Sequence, residues 1–356
     1  MFSVSVQTLR YIECSTMENR NIPYELSDYV LGQYFRETGE RQGWLKSPGI
    51  IASVSGGGDS IALLWLCSKF YGGRLAAVHI NHGIRGEESD GDEDFTASFA
   101  ERLGIISMTV RISVPDERMK GESIESAARR LRHYHICRCA ETLGIKTVLL
   151  GHNRDDLAET VLFNILRGTG IRGSVGMTEC SELEGVKFYR PLLGLRREFL
   201  RDILRVRGIS WREDSTNSDN TYTRNYIRLK LLPQIERKIN ASAAEHLAAF
   251  GEDMRKIRDR EDNISLDLMN DCLELQAPVF TLNRKKLRGL NDDDTALVIR
   301  EAGRRLGLRT LSRGRCVELV RLIKGTNNFI FQWCNNITAK GTGGKIIIDD
   351  STRNTK

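Results

Sequence analysis

From about residue 49, short apolar runs rich in β-branched residues alternate with longer stretches whose apolar positions recur at helical spacing. Gly49–Val54, Leu75–Ile80, Ile106–Ile112 and Thr147–Leu150 predict four strands. The stretches Asp59–Phe70, Asp90–Leu103, Glu122–Leu143 and Asp155–Leu166 predict the helices between and after them. Such alternation implies βαβ units, a parallel sheet with helices on both faces, and hence an α/β fold. Ligands in such folds sit beyond the carboxyl ends of the strands. Ahead of this block, Tyr29-Val30-Leu31 and Tyr34-Phe35 at helical spacing predict a helical extension over residues 1–48 that packs beside the first strand. The α/β pattern runs over residues 49–234 and then stops. Residues 235–356 read as a helical connection, Ile235–Leu273, leading to a small α+β domain. That domain has helices near Asp294–Leu306 and Ser312–Ile323 and strands at Asn328–Trp333 and Lys345–Ile348.

Composition narrows the picture modestly. A chain of 356 residues favours two or three domains, and its ordinary apolar and charged content makes packed cores feasible. A formal charge of +6 permits a polyanionic partner without requiring one. The eight cysteines form no CxxC pair and follow no secretory start, so they read as reduced thiols. The longest apolar run, Ile61–Cys67, is too short to span a bilayer. The expectation is a soluble, cytoplasmic protein.

Chemistry first enters at Ser55-Gly56-Gly57-Gly58-Asp59-Ser60, between the first strand and the first helix of the α/β block. Three glycines can gather bare backbone N–H groups at a helix N-terminus, which is an anion cradle. Ser60 adds a hydroxyl, and Asp59 beside a phosphate calls for an intervening cation such as Mg²⁺. The segment is not a Walker A loop, because the Lys-Ser/Thr pair is missing. A plain tight turn with Asp59 capping the helix fits the same residues.

The hexapeptide resembles the SGGxDS signature of PP-loop ATP pyrophosphatases, which bind ATP and expel pyrophosphate while adenylating a substrate. Further segments narrow the resemblance to the tRNA(Ile)-lysidine synthase family. His79-Ile80-Asn81-His82-Gly83-Ile84-Arg85 resembles its HxNHxLR element, with Ile84 for Leu. Glu125-Ser126-Ala127-Ala128-Arg129 with Arg132 resembles ExxAR-x-x-RY, with His133 where the family has Tyr. Gly151 to Thr160 resembles GHHxDDxxET, with Asn153 for the second His. Leu166-Arg167-Gly168-Thr169-Gly170 matches LRGTG, and Arg190-Pro191-Leu192-Leu193 matches RPLL. The stretches Glu213-Asp214-Ser215-Thr216-Asn217 and Arg224-Asn225-Tyr226-Ile227-Arg228 resemble EDxxN and RNxIR. The likeness covers residues 50–234 and continues more loosely to about 350.

The resemblance implies a PP-loop α/β domain followed by a mostly helical region and a small C-terminal tRNA-binding domain. The implied reaction takes place on the wobble cytidine of the isoleucine tRNA with a CAU anticodon. Its base oxygen at position 2 attacks the α-phosphate of ATP and releases pyrophosphate; the side-chain amine of free L-lysine then displaces AMP and leaves lysidine. Ser55, Gly56, Gly57, Gly58, Asp59, Ser60 and His79 would hold ATP, with Asp59 the Mg²⁺ ligand. Asp59, Arg132, His152, Asp156 and Glu159 would form the active site. Arg167, Arg224 and Arg228 would contact tRNA, and a homodimer is allowed.

The residues themselves support part of this. Asp156 and Glu159, three apart at a helix start, share a face and suit an ammonium or a metal. They could help deprotonate the attacking amine. His152 could accept a proton or orient substrate, and Arg132 could offset charge developing at a phosphate. Taken alone, the same acids would also stabilise the first turn of any helix, and Arg129 and Arg132 would suit a solvated face. Within Leu195–Arg207, Arg197, Arg201 and Arg205 form an i,i+4 stripe opposite Leu195, Phe199 and Ile203. Such a stripe suits RNA phosphates, as does the basic stretch Arg300–Lys324; both also fit an ordinary soluble face. His133, His135, Cys137 and Cys139 lie two apart on a helix and point away from one another, so zinc is not expected. The alternative is another PP-loop tRNA-modifying enzyme such as a tRNA thiolase, although those relatives generally carry CxxC cysteines.

Overall fold

The computed structural model describes residues 24–83, 86–213, 223–275, 279–334 and 336–350. Residues 1–23 of the expected extension, Ile84 and Arg85 of one motif, Asp214–Asn217 of another, and Pro278 lie outside the described residues. The chain divides into two compact units, up to Asp253 and from Met254. The hydrophobic pattern puts the boundary at 234/235. The division falls later because Ala243, Ala244 and Ala248 pack into the first unit with Leu157, Val161 and Ile227.

The first unit opens with helix α1, Tyr24–Gln42, followed by β1 Gly49–Ser53, α2 Gly58–Phe70, β2 Arg74–Asn81 and α3 Glu87–Arg102. Then come β3 Ile106–Arg111, α4 Ile124–Leu143, β4 Thr147–Leu150 and α5 Arg154–Leu166. A hairpin, β5 Cys180–Leu183 and β6 Val186–Tyr189, precedes α6 Arg197–Val206. The six strands lie in the order β3-β2-β1-β4-β6-β5. All neighbouring pairs are parallel except β5 with β6. The order reverses between β1 and β4, and crevices for ligands open at such switch points.

The apolar runs of β1 and β4 follow from burial on both faces of the sheet. Successive residues point to opposite sides, so Ile50 and Ala52 join one core cluster while Ile51 joins the other. Each such fully buried side chain contributes about 1.5–3 kcal/mol relative to exposure. On the first face α1 packs against α2, with Phe35 and Trp44 edge to face at 4.8 Å. On the second lies α4, which contributes Ala127, Leu131, Ile136 and Cys137.

The second unit holds a five-stranded antiparallel sheet in the order β7-β8-β11-β10-β9. Its strands are β7 Leu273–Leu275, β8 Phe280–Asn283, β9 Phe329–Cys334, β10 Ile337–Thr342 and β11 Lys345–Asp350. Helices Asp292–Arg305 and Arg313–Lys324 contribute Val298, Ile299, Leu319 and Ile323 to its core. The fully buried Arg284 closes that core. Its guanidinium donates to the carbonyls of Leu322, Ile323, Gly325 and Asn327 and lies over the Phe329 ring. Among the described residues no helix is long and apolar enough to cross a membrane.

Candidate active site

The glycine loop leaves β1 at the switch point and opens α2. Gly56 takes φ +88°, a conformation that suits glycine, and Gly57 caps α2 in extended geometry. The Ser60 hydroxyl folds the loop on itself: it accepts from Ser55 N at 3.1 Å and donates to Gly57 O at 2.8 Å. Arg212 N braces the loop by donating to Gly56 O at 3.0 Å. His79, near the end of β2, is buried with Nδ1 2.8 Å from the carbonyl of Val54 and so steadies the junction where the loop departs.

Gly151, directly after β4, faces this loop. A Cβ there would come within 3.1 Å of Asp59 O and Ser60 Cα, backbone atoms that cannot step aside. Glycine at 151 therefore lets the two strand ends, and the chemistry that each carries, come together.

Helix α5 starts with a capping box. Asn153 Oδ1 accepts from Asp156 N at 2.9 Å, while Asp156 Oδ2 accepts from Asn153 N at 3.1 Å. Asn153, where the resembling motif carries His, is thus the cap that aims the acids. The three acids then part company. Asp155 takes the N–H of Arg197 at 2.7 Å and the guanidinium of Arg196 at 3.0 Å, fastening the start of α6. Asp156 and Glu159 share two arginines. Arg197 Nη2 lies 2.8 Å from Asp156 Oδ1 and 2.9 Å from Glu159 Oε1. Arg228 reaches the same oxygens, at 2.6 Å to Asp156 and 2.9 Å to Glu159. Arg228 lies in Ile227–Leu231, a π-helical turn of the kind that recurs at functional sites.

Charge on these groups follows from their neighbours. Burial works to raise the pKa of Asp156, but the guanidiniums of Arg197 and Arg228 outweigh it and hold the carboxyl below the usual carboxylate range. Asp59 is pushed up to about 6, by burial first and the charge of Asp156 second, against a weaker pull from Arg197. Arg197 Nε is 3.7 Å from Asp59 Oδ2, while the buried Oδ1 has no hydrogen-bond partner. Three carboxylates thus face two shared guanidiniums, leaving Asp59 short of positive charge. That donor fits one coordination site of Mg²⁺, which commonly takes one or two carboxylates with phosphates and water supplying the rest. Among the described residues no group of three or more His, Cys, Asp or Glu could hold a metal unaided.

His152, directly before the Asn153 cap, is pushed down to about 3 by burial, with Arg190, Arg132 and Arg224 opposing the pull of Asp156. It is neutral at pH 7, and its Nδ1 is buried without a partner. Arg132 is half-buried on α4; burial first and then Arg129 and Arg224 lower its pKa to about 10.

The geometry brings together Asp59, His152, Asp156, Glu159, Arg197 and Arg228, although the spacing of its stripe points Arg197 towards RNA. The rest of the stripe is engaged locally: Arg205 pairs with Glu198 at 2.6 Å and Asp202 at 2.7 Å, and Arg201 lies 3.7 Å from Glu213. Arg224 donates to Thr160 Oγ1 at 2.9 Å, and Arg167 lies exposed over the Phe163 ring. In the second unit, Arg304 and Arg305 of the basic stretch both bind Glu301. Sequence reasoning does not single out Arg190 or Arg196 for the site. An arginine directly before the Pro-Leu-Leu turn is the one local signal for Arg190.

Residues 30–235 match the family described as a PP-loop domain, so the fold and the glycine loop define a member of the PP-loop class. The tRNA(Ile)-lysidine synthase of Thermus thermophilus is 42% identical over 205 residues, covering 57% of this chain and 38% of that protein. That of Symbiobacterium thermophilum is 36% identical over 249 residues, covering 69% of this chain and 49% of that protein. That of Rhodopirellula baltica is 34% identical over 282 residues, covering 72% of this chain and 71% of that protein. The chain belongs to the tRNA(Ile)-lysidine synthase family. It spans less than half the length of the first two of these relatives. A solved U34-tRNA thiolase from Methanococcus maripaludis shares the fold, with a TM-score of 0.53 at 20% identity over 63% of this chain and 78% of the thiolase.

Proposed function

We propose that this protein is an ATP-dependent ligase that joins lysine to C2 of the wobble cytidine of tRNA(Ile) bearing a CAU anticodon, giving lysidine, AMP and pyrophosphate. The observation that carries the reading is the convergence of the Asp156–Glu159 pair with Asp59 at the glycine loop. It supports reading a site for a cationic amine beside a site for a nucleotide's phosphates. The names of the relatives support lysine as the amine and tRNA(Ile) as the RNA.

The α-phosphate of ATP lies at the loop N–H groups, where the start of α2 favours negative charge. Mg²⁺ at Asp59 Oδ1 would neutralise phosphate charge as pyrophosphate departs. The cytidine oxygen bonds to the α-phosphorus as the bond to pyrophosphate breaks; Arg132 stabilises the charge that accumulates on the departing pyrophosphate. Lysine enters with its ammonium on Asp156 and Glu159, exchanging with at least one guanidinium of Arg197 and Arg228. The arginines keep Asp156 ionised, so it acts as a counter-ion and is a poor base. Neutral His152, too weak a base at a pKa of about 3 to take the proton, orients the amine. Once the ammonium has lost one proton to water, its nitrogen bonds to C2 as the C2–O bond to AMP breaks, and the second N–H proton passes to water. The site acts in the cytoplasm, as a monomer or homodimer.

Adenylation precedes lysine in this scheme, so pyrophosphate should be released in a single turnover with ATP, Mg²⁺ and the unmodified RNA before lysine is added. Release that ignores the RNA, or that persists when the wobble cytidine is replaced by uridine, would refute the scheme.

A further inference from the structure

Around His152, whose charge three of them oppose, the first unit holds four arginines from three separate places. Arg129 and Arg132 come from α4, Arg190 from the end of β6, and Arg224 from the short helix Thr223–Tyr226. Arg190, at the end of β6, lies two strands from β1, which carries the glycine loop. These charges lack the counter-ions that satisfy Arg197 and Arg228. Among the described residues, no carboxylate bonds Arg132, Arg190 or Arg224, and no hydrogen bond or ion pair engages the Arg132 guanidinium. Arg190 is only 4% exposed; its two Nη atoms reach Thr178 O and the Ser181 hydroxyl, and its buried Nε has no partner. Among the described residues Arg224 donates to the Thr160 hydroxyl and to no other side chain. Arg129 is exposed at the rim, with Glu125 as its nearest opposing charge.

Burial and mutual repulsion lower the pKa of Arg129, Arg132 and Arg190 together, and the same cluster helps keep His133 and His152 neutral. Holding like charges together out of water is costly unless an anion joins them. Guanidiniums converging from several elements match the oxygens of a phosphate.

We propose that Arg129, Arg132, Arg190 and Arg224 form a second phosphate-binding subsite beside His152, distinct from the backbone cradle of the glycine loop. This rests on the functional reading above, which supplies two sources of phosphate at this end of the sheet: the RNA backbone beside the target base, and pyrophosphate leaving ATP.

The test titrates the full chain with inorganic pyrophosphate and, separately, with an unmodified anticodon stem-loop RNA, at fixed salt. Arg132→Gln and the rim variant Arg129→Gln should each weaken one of these ligands about tenfold or more. Arg132→Lys should recover part of the loss, and Arg138→Gln, whose guanidinium has its own acid partners in Glu141 and Glu184, should bind like the wild type. Loss confined to RNA assigns the subsite to the backbone; loss of pyrophosphate assigns it to the leaving group. Unchanged affinity for both ligands in folded Arg129→Gln and Arg132→Gln proteins overturns the proposal, as does a wild type that binds neither. Binding does not depend on lysine transfer. A chain that shows these losses yet transfers no lysine keeps the subsite and loses the functional reading.

Discussion

The acidic and the cationic lobe of the first unit are both crowded with charge, but they are built on opposite terms. In the acidic lobe Asp156 and Glu159 are buried, and each receives both Arg197 and Arg228 within 2.9 Å. In the cationic lobe Arg190 is buried and Arg132 half-buried, and among the described residues no carboxylate bonds either. The first is electrostatically closed by its own chain, and an incoming ammonium must compete with arginines for it. The second has no such acid partners among the described residues, so an incoming anion displaces none of them. A site read only for the presence of charged residues would treat the two alike; the partners of each charge show which lobe must exchange and which can simply bind.

The sharpest way to break that contrast is to neutralise the closed lobe. Glu159→Gln and Asp156→Asn should each lower lysine transfer by on the order of a thousandfold, because both the amine site and its counter-ions are lost. Single-turnover transfer measures this, and circular dichroism checks the fold. Normal turnover in either variant would remove that residue from the site.

Next in size is the approach of the two strand ends. Gly151→Ala sets a methyl against the backbone of Asp59 and Ser60 and should cost about 1–3 kcal/mol of stability, read by denaturant unfolding. Because the clash falls on the glycine loop, ATP affinity should drop as well.

Asp59 gives a smaller effect with a defined sign. Its pKa rises from 3.8 to about 6 on folding, so the folded state favours the protonated carboxyl. The associated stability is fully present below pH 4 and is lost as pH rises through 6. Asp59→Asn should therefore stabilise the protein at pH 7–8, by on the order of 1–2 kcal/mol since the side chain is 28% exposed, and have little effect near pH 4. It should also abolish Mg²⁺-dependent turnover, whereas wild-type turnover should fall as the pH drops through 6. Least of all should follow from Arg205→Ala: its partners are exposed, and the change should stay within about 0.5 kcal/mol.

Much of the first unit is legible in the amino-acid sequence, because its signals are local. Four strands and their helices show as apolar periodicity, and the glycine loop and the α5 acids fall at strand ends where an α/β fold binds ligands. The β5–β6 hairpin escapes because Cys180–Leu183 is exposed along its length and shows no alternation. In the second unit β7, β8 and β10 leave no clear pattern; the first two are only three and four residues long. The long helical stretch predicted from Ile235 is interrupted, with Ala243 starting a separate helix. Arg197 illustrates a deeper limit. Its i,i+4 spacing with Arg201 and Arg205 marks a polar stripe, but its guanidinium turns to acids about forty positions away in the chain. Periodicity assigns a residue to a face, whereas long-range pairing decides what that face does.

The central claim is tested most directly by incubating the protein with ATP, Mg²⁺, radiolabelled lysine and an unmodified tRNA(Ile) transcript bearing CAU. The account predicts label on the RNA only when ATP is present, and none when the wobble cytidine is replaced. An active, folded preparation that releases pyrophosphate with this RNA yet never attaches lysine would contradict it and point to a different nucleophile at the acid pair.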